Sequence, residues 1–200
     1  MNSLWLPLNG DLHNQGISGI IATGTNISVN TAGKIGPCYS FNGSSSYIEL
    51  SSALCSNETI EFSYTCWVKF NSTASCCLFS NRTAVNSNGV TLFINNSGNI
   101  LYDIGNERHT KTYAFSTDTW YHLAFTYKKG ATKKIYVNGA EIYSAGTSGT
   151  MTSAAATKSF IGASQSTSTT VNANYLNGYL NDVRIWNDHC LSAAEVKEIA

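Results

Sequence analysis

The alternation of apolar and polar residues is most regular between residues 120 and 143, where two turns interrupt it. Apolar side chains occupy every second position of 121–127, which is the pattern of a strand lying on a core. The charged, glycine-containing run 128–134 then turns the chain, and Asn138 and Gly139 are the residues that a tight hairpin turn favours at positive φ. This stretch therefore predicts three consecutive antiparallel strands.

A second unbroken alternation runs from Ile60 to Phe70, with every even-numbered position apolar. This pattern predicts a central strand that buries one face between two sheets. Trp67 lies on the opposite face and is the one large aromatic residue among polar neighbours there. Two interpretations of Trp67 stay open at this point, a platform for a ligand or a packing residue.

The rest of the chain contains shorter apolar runs separated by turns rich in Asn, Ser and Gly. Such spacing is typical of a sandwich of two antiparallel sheets. A Gly/Ser/Thr/Ala stretch lacks periodicity and predicts a long surface loop. The predicted strands lie at 3–8, 27–29, 34–50 with a turn at Asn42-Gly43, 77–80, 90–94, 100–104, 159–162 and 175–186, and the loop lies at 145–158.

The C-terminal segment predicts a short helix with an explicit start. Ser192 is placed as the N-cap, and Glu195 stands at the third helical position, which completes a capping box. Leu191 and Val196 are spaced to form a hydrophobic staple across the first turn. Val196 and Ile199 are expected to face the body of the protein.

Charged residues make up only 12% of the chain and give a formal net charge of +0. A nucleic acid or an anionic membrane is therefore not expected as an electrostatic partner. No apolar run approaches the roughly 20 residues that a spanning helix requires, so membrane insertion is not expected either. Asn, Ser and Thr together form about a third of the residues, which predicts a neutral, hydroxyl-rich surface.

The six cysteines are predicted to be free thiols, mostly buried. Cys66 lies inside an apolar alternation, and Cys76 and Cys77 are adjacent, so that their side chains point to opposite faces of a strand. No pair has the C-x-x-C spacing of a zinc or redox site. The N-terminus lacks the basic region and apolar stretch of a signal peptide.

Several motifs resemble those of laminin G-like, concanavalin A-like jelly rolls. They are W-Y-H-L-A-F-T at 120–126 followed by K-I-Y-V-N-G, F-N-G-S-S-S-Y-I at 41–48, and N-G-Y-L-N-D-V-R-I-W at 177–186 followed by L-S-A-A-E-V. The resemblance implies an all-β, two-sheet antiparallel jelly-roll sandwich with a short C-terminal helix, in which the last strand returns beside the first. We expect one such domain over residues 1–200.

The resemblance also bears on catalysis, because the concanavalin A-like fold hosts glucanases. Those that resemble laminarinases carry E-x-D-x-x-E on one strand, and this sequence has no such run. Glu58 and Glu61 are the only close pair of glutamates in a predicted strand region, and their odd spacing sends them to opposite faces. None of the four histidines has a catalytic spacing, so the chain is not expected to be an enzyme.

The last strand offers a candidate metal ligand. Asp182 and Arg184 are two apart and share a face, which favours a structural ion pair. Many laminin G-like modules bind calcium through carboxylate and carbonyl oxygens, so the resemblance implies a second possibility. Asp182 and Asp11 would then hold Ca²⁺ where the first and last strands adjoin.

The candidate ligand-binding residues are Trp67, then Asn106, Arg108 and His109 in a predicted loop at 106–113, and Tyr113 at the end of that loop. Neutral glycans are gripped by an aromatic surface together with amide and charged hydrogen-bonding groups, and these residues supply both. For Trp67 the resemblance also supports packing, since a tryptophan recurs at this point in the family.

Together these features predict a non-catalytic carbohydrate-binding or adhesion module that recognises a glycan or a cell-surface polysaccharide. The opening L-W-L-P-L-N-G-D-L-H-N-Q-G at 4–16 is similar to the start of laminin G-like modules of bacteriophage structural proteins. The resemblance therefore implies a virion protein, in a tail or receptor-binding role and in contact with other virion proteins, or a bacterial surface protein. The alternative is a purely structural decoration or assembly domain of a virion without a small ligand.

Overall fold

The computed structural model of the chain describes residues 3–55, 59–82, 89–105, 107–146, 157–165 and 171–200. In chain order its strands are β1 (Leu4–Leu6), β2 (Ala22–Thr25), β3 (Ser28–Asn30), β4 (Cys38–Asn42), β5 (Tyr47–Leu50), β6 (Glu61–Phe70), β7 (Cys76–Ser80), β8 (Val90–Ile94) and β9 (Asn99–Ile104). They continue with β10 (Glu107–Thr112), β11 (Trp120–Lys128), β12 (Thr132–Val137), β13 (Ala140–Gly146), β14 (Ser159–Ile161), β15 (Ser164–Gln165), β16 (Val171–Ala173) and β17 (Asn177–Trp186). One helix, α1 (Ala193–Ile199), follows.

Two antiparallel sheets form the sandwich, which confirms the predicted jelly roll. The eight-stranded sheet has the order β13-β12-β11-β6-β17-β4-β3, and β1 also pairs with β17. The seven-stranded sheet has the order β10-β9-β8-β7-β14-β5-β2, and β15 and β16 form a separate small hairpin. The first and last strands are neighbours, as the resemblance implied, with Leu4 opposite Ile185. A single domain over residues 1–200 stays a prediction.

The core lies between the inner faces of the two sheets. The alternation of β6 places Phe62, Tyr64 and Cys66 there, all fully buried. Aromatic rings from both sheets interlock, since the Phe125 ring centroid lies 6.3 Å from that of Tyr64 and 5.5 Å from that of Tyr102. Each such side chain contributes roughly 1.5–3 kcal/mol when fully buried.

The predicted hairpin turn between β12 and β13 is confirmed. Asn138 and Gly139 have φ angles of 50° and 77°, the two positive values of a type I′ turn. The amide oxygen of Asn138 also accepts a hydrogen bond of 2.9 Å from the backbone N–H of His122 on β11. The preceding turn is shorter than predicted, because β11 continues to Lys128 and β12 already begins at Thr132.

Strand β17 departs from regular alternation at a β-bulge that its sequence did not predict. Leu180 and Val183 are three positions apart, yet both lie in the core. Between them Asp182 adopts a φ of 51°, and its backbone N–H donates to Pro7 O at 3.0 Å. The extra residue places Asn181 and Asp182 together on the outer side of the sheet.

The C-terminal helix has the predicted capping box. The backbone N–H of Glu195 donates to the Ser192 hydroxyl, and the Glu195 carboxylate accepts from the Ser192 backbone N–H at 2.7 Å. Val196 and Leu191 belong to one buried cluster with Trp186 on the outer face of the eight-stranded sheet, as the staple predicts. The helix therefore covers part of that outer face.

Two loop predictions and the cysteine prediction can be compared with these elements. The predicted loop at 106–113 is wrong for its central part, because β10 pairs with β9 as an edge strand over residues 107–112. The predicted loop at 145–158 falls mostly on residues 147–156, outside the described residues.

All six cysteines are free and five are buried, and burial raises the pKa of Cys66 to about 12. Within the described part of the chain, no helix is long and apolar enough to cross a bilayer.

Candidate functional site

The outer face of the seven-stranded sheet presents two cross-strand rows of side chains, set by the strand register. Residues directly opposite on antiparallel strands lie side by side on one face. Since β8 and β9 put Val90, Leu92, Ile100 and Tyr102 into the core, the intervening residues point outward. One row is Ser80, Thr91, Asp103 and Arg108, and the other is Cys77, Phe93, Leu101 and Thr110.

The second row supplies an apolar floor. Phe93 on β8 pairs directly with Leu101 on β9. The Phe93 side chain is half-buried and Leu101 is nearly buried, so the phenyl ring offers a partly accessible surface. An aromatic ring flanked by an apolar side chain in this way can receive the apolar face of a ligand.

The first row supplies charge beside that floor. The Arg108 guanidinium donates to both oxygens of the Asp103 carboxylate, from Nε to Oδ1 at 2.8 Å and from Nη2 to Oδ2 at 2.6 Å. This hydrogen-bonded pair raises the pKa of Arg108. The side chain of Arg108 is 52% exposed and that of Asp103 only 16%. The pair is therefore rigid at its aspartate end and open to solvent at its arginine end.

The opposite wall is formed by Arg82 and Asn174. Arg82 Nε donates to the backbone oxygen of Gln165 at 3.3 Å, which ties the end of β7 to the β15–β16 hairpin. Asn174 has a φ of 54°, and its amide donates to the Ser164 hydroxyl at 3.0 Å. Its backbone oxygen also accepts from Cys77 N at 2.8 Å. Both walls are thus fixed to the body of the sheet.

Floor and walls enclose an open groove of about 220 Å³, lined by these residues and by Thr91. We call it the β8–β10 groove, after the strands that form its floor and its charged side. Its polar groups include donors on both arginines and Asn174 and acceptors on Asp103, Thr91 and Asn174. A small polyhydroxylated molecule could both stack and hydrogen-bond here.

Of the residues predicted to bind a ligand, Arg108 lines this groove, whereas Asn106 lies outside the described residues. His109 points away from the groove, because neighbouring residues on an edge strand face opposite sides. Its Nδ1 lies 2.9 Å from the Tyr143 hydroxyl, and Nε2 lies 3.7 Å from Glu107. A ligand-binding role for His109 stays a prediction.

Tyr113 lies beyond the end of β10 in a cluster of aromatic rings. Its ring centroid lies 4.8 Å from that of Phe115 and 6.1 Å from that of Tyr121. These contacts place Tyr113 at the rim of the core, apart from the β8–β10 groove. Ligand binding by Tyr113 also stays a prediction.

Trp67 lies on the outer face of the other sheet and is only 9% exposed. The segment 31–37 covers it, with Lys34 Nζ 4.5 Å from the ring centroid. Ile35 holds this segment down by donating its N–H to the Asn181 amide oxygen at 2.7 Å. The burial favours the packing interpretation of Trp67, and its service as a ligand platform stays a prediction.

His122 lies beside Trp67, with the two ring centroids 5.3 Å apart. Its side chain is 1% exposed, and Nδ1 has no hydrogen-bond partner among the described residues. Burial lowers the pKa of His122 to about 4, assisted by Arg184 and opposed by Asp182. This histidine is therefore neutral at physiological pH.

The predicted ion pair between Asp182 and Arg184 is present, with Nη2 to Oδ2 at 2.8 Å. Asp182 Oδ1 also accepts from Arg184 Nε at 3.0 Å and from the Trp5 indole N–H at 2.7 Å. Asp11 accepts a hydrogen bond of 2.9 Å from His13 N within its own loop. No group of three or more His, Cys, Asp or Glu suited to a metal occurs among the described residues, and calcium binding at Asp11 and Asp182 stays a prediction.

Sequence reasoning missed most of the groove. Phe93, Leu101 and Asp103 lie at the outward positions of two short predicted strands, V-T-L-F-I and I-L-Y-D-I. Pairing those strands as neighbours would have placed Phe93 beside Leu101. No local pattern indicates that Arg82 and Asn174 meet there, because strands distant in sequence bring them together.

Comparison with known proteins agrees with this architecture. Residues 42–197 match the family model described as the concanavalin A-like lectin/glucanases superfamily. The chain belongs to this family. The match covers most of the chain, from the hairpin after β4 to the C-terminal helix, and the fold is of the carbohydrate-binding jelly-roll type. No curated protein matches the chain in sequence.

Among solved structures, the chain is similar to domain 4 of AbnA, a GH43 extracellular arabinanase from Geobacillus stearothermophilus, in complex with arabinotriose. The TM-score is 0.76 at 20% identity, over 100% of this chain and 98% of that one. The receptor binding domain of botulinum neurotoxin type G has a TM-score of 0.73 at 18% identity over 99% of this chain. The chain spans only 50% of that toxin chain. Such identities show a shared fold, and none of these matches supports the predicted bacteriophage origin.

Proposed function

We propose that this protein is a non-catalytic carbohydrate-binding module and that the β8–β10 groove is its glycan site. The supporting observation is the Phe93–Leu101 floor lying directly beside the Arg108–Asp103 pair in one open groove. Sugars present apolar C–H faces and hydroxyl groups together, so an aromatic surface flanked by hydrogen-bonding side chains suits them. The related arabinanase domain, which is solved with arabinotriose, is consistent with this proposal.

The carboxylates of the groove support a non-catalytic role. Asp103 is the only described carboxylate lining it, and both of its oxygens accept hydrogen bonds from Arg108. Glycoside hydrolysis in most families uses two carboxyl groups, roughly 5 to 9.5 Å apart, on either side of the bond. A carboxylate neutralised by a bidentate arginine is a poor acid and a poor nucleophile.

A rival aromatic surface exists on the eight-stranded sheet and makes a useful control. The ring centroids of Trp120 and Tyr179 lie 6.5 Å apart, and Lys69 Nζ lies 4.6 Å from that of Tyr179 and 5.7 Å from that of Trp120. An ammonium group already occupies the π-faces, a favourable cation–π arrangement. The β8–β10 groove offers a freer aromatic surface with walls.

The proposal is tested by screening the protein on a glycan array and measuring the best ligand by calorimetry. Phe93→Ala should weaken binding at least tenfold, about 1.4 kcal/mol, because the stacking surface is lost. The matched control Trp120→Ala should retain the original affinity. Loss of binding in Trp120→Ala but not in Phe93→Ala would move the site to the other sheet.

A protein that binds nothing on the array would contradict the glycan proposal. It would favour the alternative of a structural decoration or assembly domain. The placement of the module in a virion is proposed from the resemblance of residues 4–16 alone. A glycan recovered by the array would indicate which kind of surface the protein meets.

A further inference from the structure

Arg82 differs from the other two arginines of the chain in its electrostatic environment. Arg108 is paired with Asp103 at 2.6 Å, and Arg184 is paired with Asp182 at 2.8 Å. Arg82 has no ion pair with any carboxylate of the described residues, although it lines the β8–β10 groove. The groove therefore contains a guanidinium whose charge the described protein does not neutralise.

The position of Arg82 is fixed by its neighbour in sequence. Asn81 is fully buried, and its side chain accepts from Val90 N at 2.6 Å and donates to Cys55 O at 2.9 Å. It also donates to Leu54 O. These bonds anchor the backbone that carries Arg82 onto the sheet, so that little backbone entropy is lost when Arg82 binds a ligand.

The Arg82 guanidinium is itself oriented by one of its own hydrogen bonds. Nε donates to Gln165 O at 3.3 Å, and Gln165 in turn accepts from the Ser80 hydroxyl at 3.3 Å. The fork of a guanidinium is planar, so fixing Nε orients the terminal nitrogens as well. Such a preorganised fork matches the geometry of a carboxylate or a sulfate.

The charges lining the groove do not balance. Two arginines, Arg82 and Arg108, face one aspartate, Asp103, which leaves one positive charge. The chain as a whole has a formal net charge of +0, so this excess is local and does not arise from a basic protein. A partly desolvated positive charge in a groove favours a ligand that carries a compensating negative charge.

We propose that the β8–β10 groove selects an acidic sugar, with its ring on Phe93 and Leu101 and its carboxylate or sulfate on Arg82. This inference rests on the proposed glycan-binding function and specifies its substrate class. The groove of about 220 Å³ is smaller than the roughly 300 Å³ at which pockets for drug-sized ligands begin. It therefore accommodates one acidic unit of a longer glycan.

The test compares trisaccharides of galacturonate, glucuronate and mannuronate with their neutral hexose counterparts and with sulfated derivatives of those, by calorimetry at low ionic strength. At least one acidic trisaccharide should bind at least tenfold more tightly than its neutral counterpart. Added salt should reduce this preference, because mobile ions screen the charge on a partly exposed arginine. The sulfated arm shows whether the groove prefers sulfate or carboxylate.

Arg82→Gln should remove the preference for the acidic ligand, because it weakens binding of the acidic trisaccharide much more than binding of the neutral counterpart. Lys129→Gln removes one positive charge from the exposed turn between β11 and β12, which belong to the other sheet, and should keep the preference unchanged. Arg82→Lys keeps the positive charge but loses the planar guanidinium, and it should retain part of the preference for the acidic ligand. Equal melting temperatures would show that all three variants fold.

Two outcomes separate this inference from the function on which it rests. If acidic and neutral trisaccharides bind equally, and Phe93→Ala weakens both, the groove binds glycans but is not selective for acid. An acidic preference that survives Arg82→Gln would likewise overturn the role of Arg82. If no sugar binds on the array or in solution, the glycan-binding function itself is wrong.

Discussion

The outer faces of the two sheets differ in how far the rest of the chain covers them. On the eight-stranded sheet, the polypeptide itself covers part of the outward face, with α1 over Trp186 and the segment 31–37 over Trp67. On the seven-stranded sheet, the outward face of β8, β9 and β10 stays open and forms the groove. Alternation in a strand shows which residues point away from the core. It does not show which of the two outer faces the remaining chain will cover.

The covered face is packed much like a second small core. His122 and Ala124 on β11 are essentially inaccessible, although both point away from the main core. The Lys34 ammonium above the Trp67 ring adds an attraction that is worth roughly 0.5–2 kcal/mol, depending on desolvation. A tryptophan with polar neighbours in the sequence is therefore almost fully covered in the fold.

The largest expected effect is the difference in the free energy of unfolding between Trp67→Ala and Phe93→Ala. Trp67→Ala should lower the free energy of unfolding by about 3–5 kcal/mol, as for a buried tryptophan. Phe93→Ala should cost less than about 2 kcal/mol, since its ring is only half-buried. Urea denaturation of the two variants measures the difference. The comparison of the two faces would fail if Trp67→Ala kept full stability but lost glycan binding.

The second prediction concerns the pH dependence that His122 gives to the covered face. Its pKa is lowered to about 4 from the ordinary value of 6.5, so between these two values the unfolded state binds more protons. Stability contributed by the neutral ring is therefore complete above pH 6.5 and is lost as the pH falls toward 4. Each pKa unit corresponds to about 1.4 kcal/mol, which makes the loss about 3 kcal/mol near pH 4.

Charged side chains from several parts of the fold also affect the protonation of His122. Asp182 favours its protonation and Arg184 opposes it, while Lys34 adds a further positive charge over the neighbouring Trp67 ring. Burial also lowers the pKa of His109, so that residue contributes a change of the same sign. The difference in unfolding free energy between wild type and His122→Gln, measured from pH 7 to pH 4, isolates His122. Parallel curves for the two proteins would contradict the prediction.

The features that the sequence predicted correctly are those set by local patterns. Alternation located β6 and β11, and the spacing of Ser192 and Glu195 located the start of the helix. The β8–β10 groove could not be predicted in this way, because its residues lie far apart in the chain. Arg82 reaches the groove through the pairing of β7 with β8, and Lys34 reaches Trp67 from another strand pair. The charged run at 107–112 lacks apolar alternation, yet it forms an edge strand, because an edge strand needs no apolar residues on its exposed face.

The smallest expected effect is that of Ser192→Ala, which weakens the helix covering part of the eight-stranded sheet and leaves the β8–β10 groove unchanged. Ser192→Ala removes the hydroxyl that accepts from Glu195 N and donates to Glu195 Oε2 at 2.8 Å, and should cost about 1 kcal/mol. The hydrogen bonds of Ser192 and His189 hold the pKa of Glu195 at about 2. Stability from this cap is therefore present above the ordinary carboxyl pKa and is lost as the pH falls toward 2.

Ser52→Ala is the matched control, because Ser52 is exposed and caps no helix. The unfolding midpoint in urea should fall for Ser192→Ala and stay constant for Ser52→Ala, while both variants keep the glycan affinity of the wild type. The reason is that α1 lies on the eight-stranded sheet and the groove lies on the other sheet, with the core between them. A Ser192→Ala protein of normal stability would mean that the helix contributes little to the covered face. Weakened glycan binding in that variant would show instead that the two outer faces are coupled through the core.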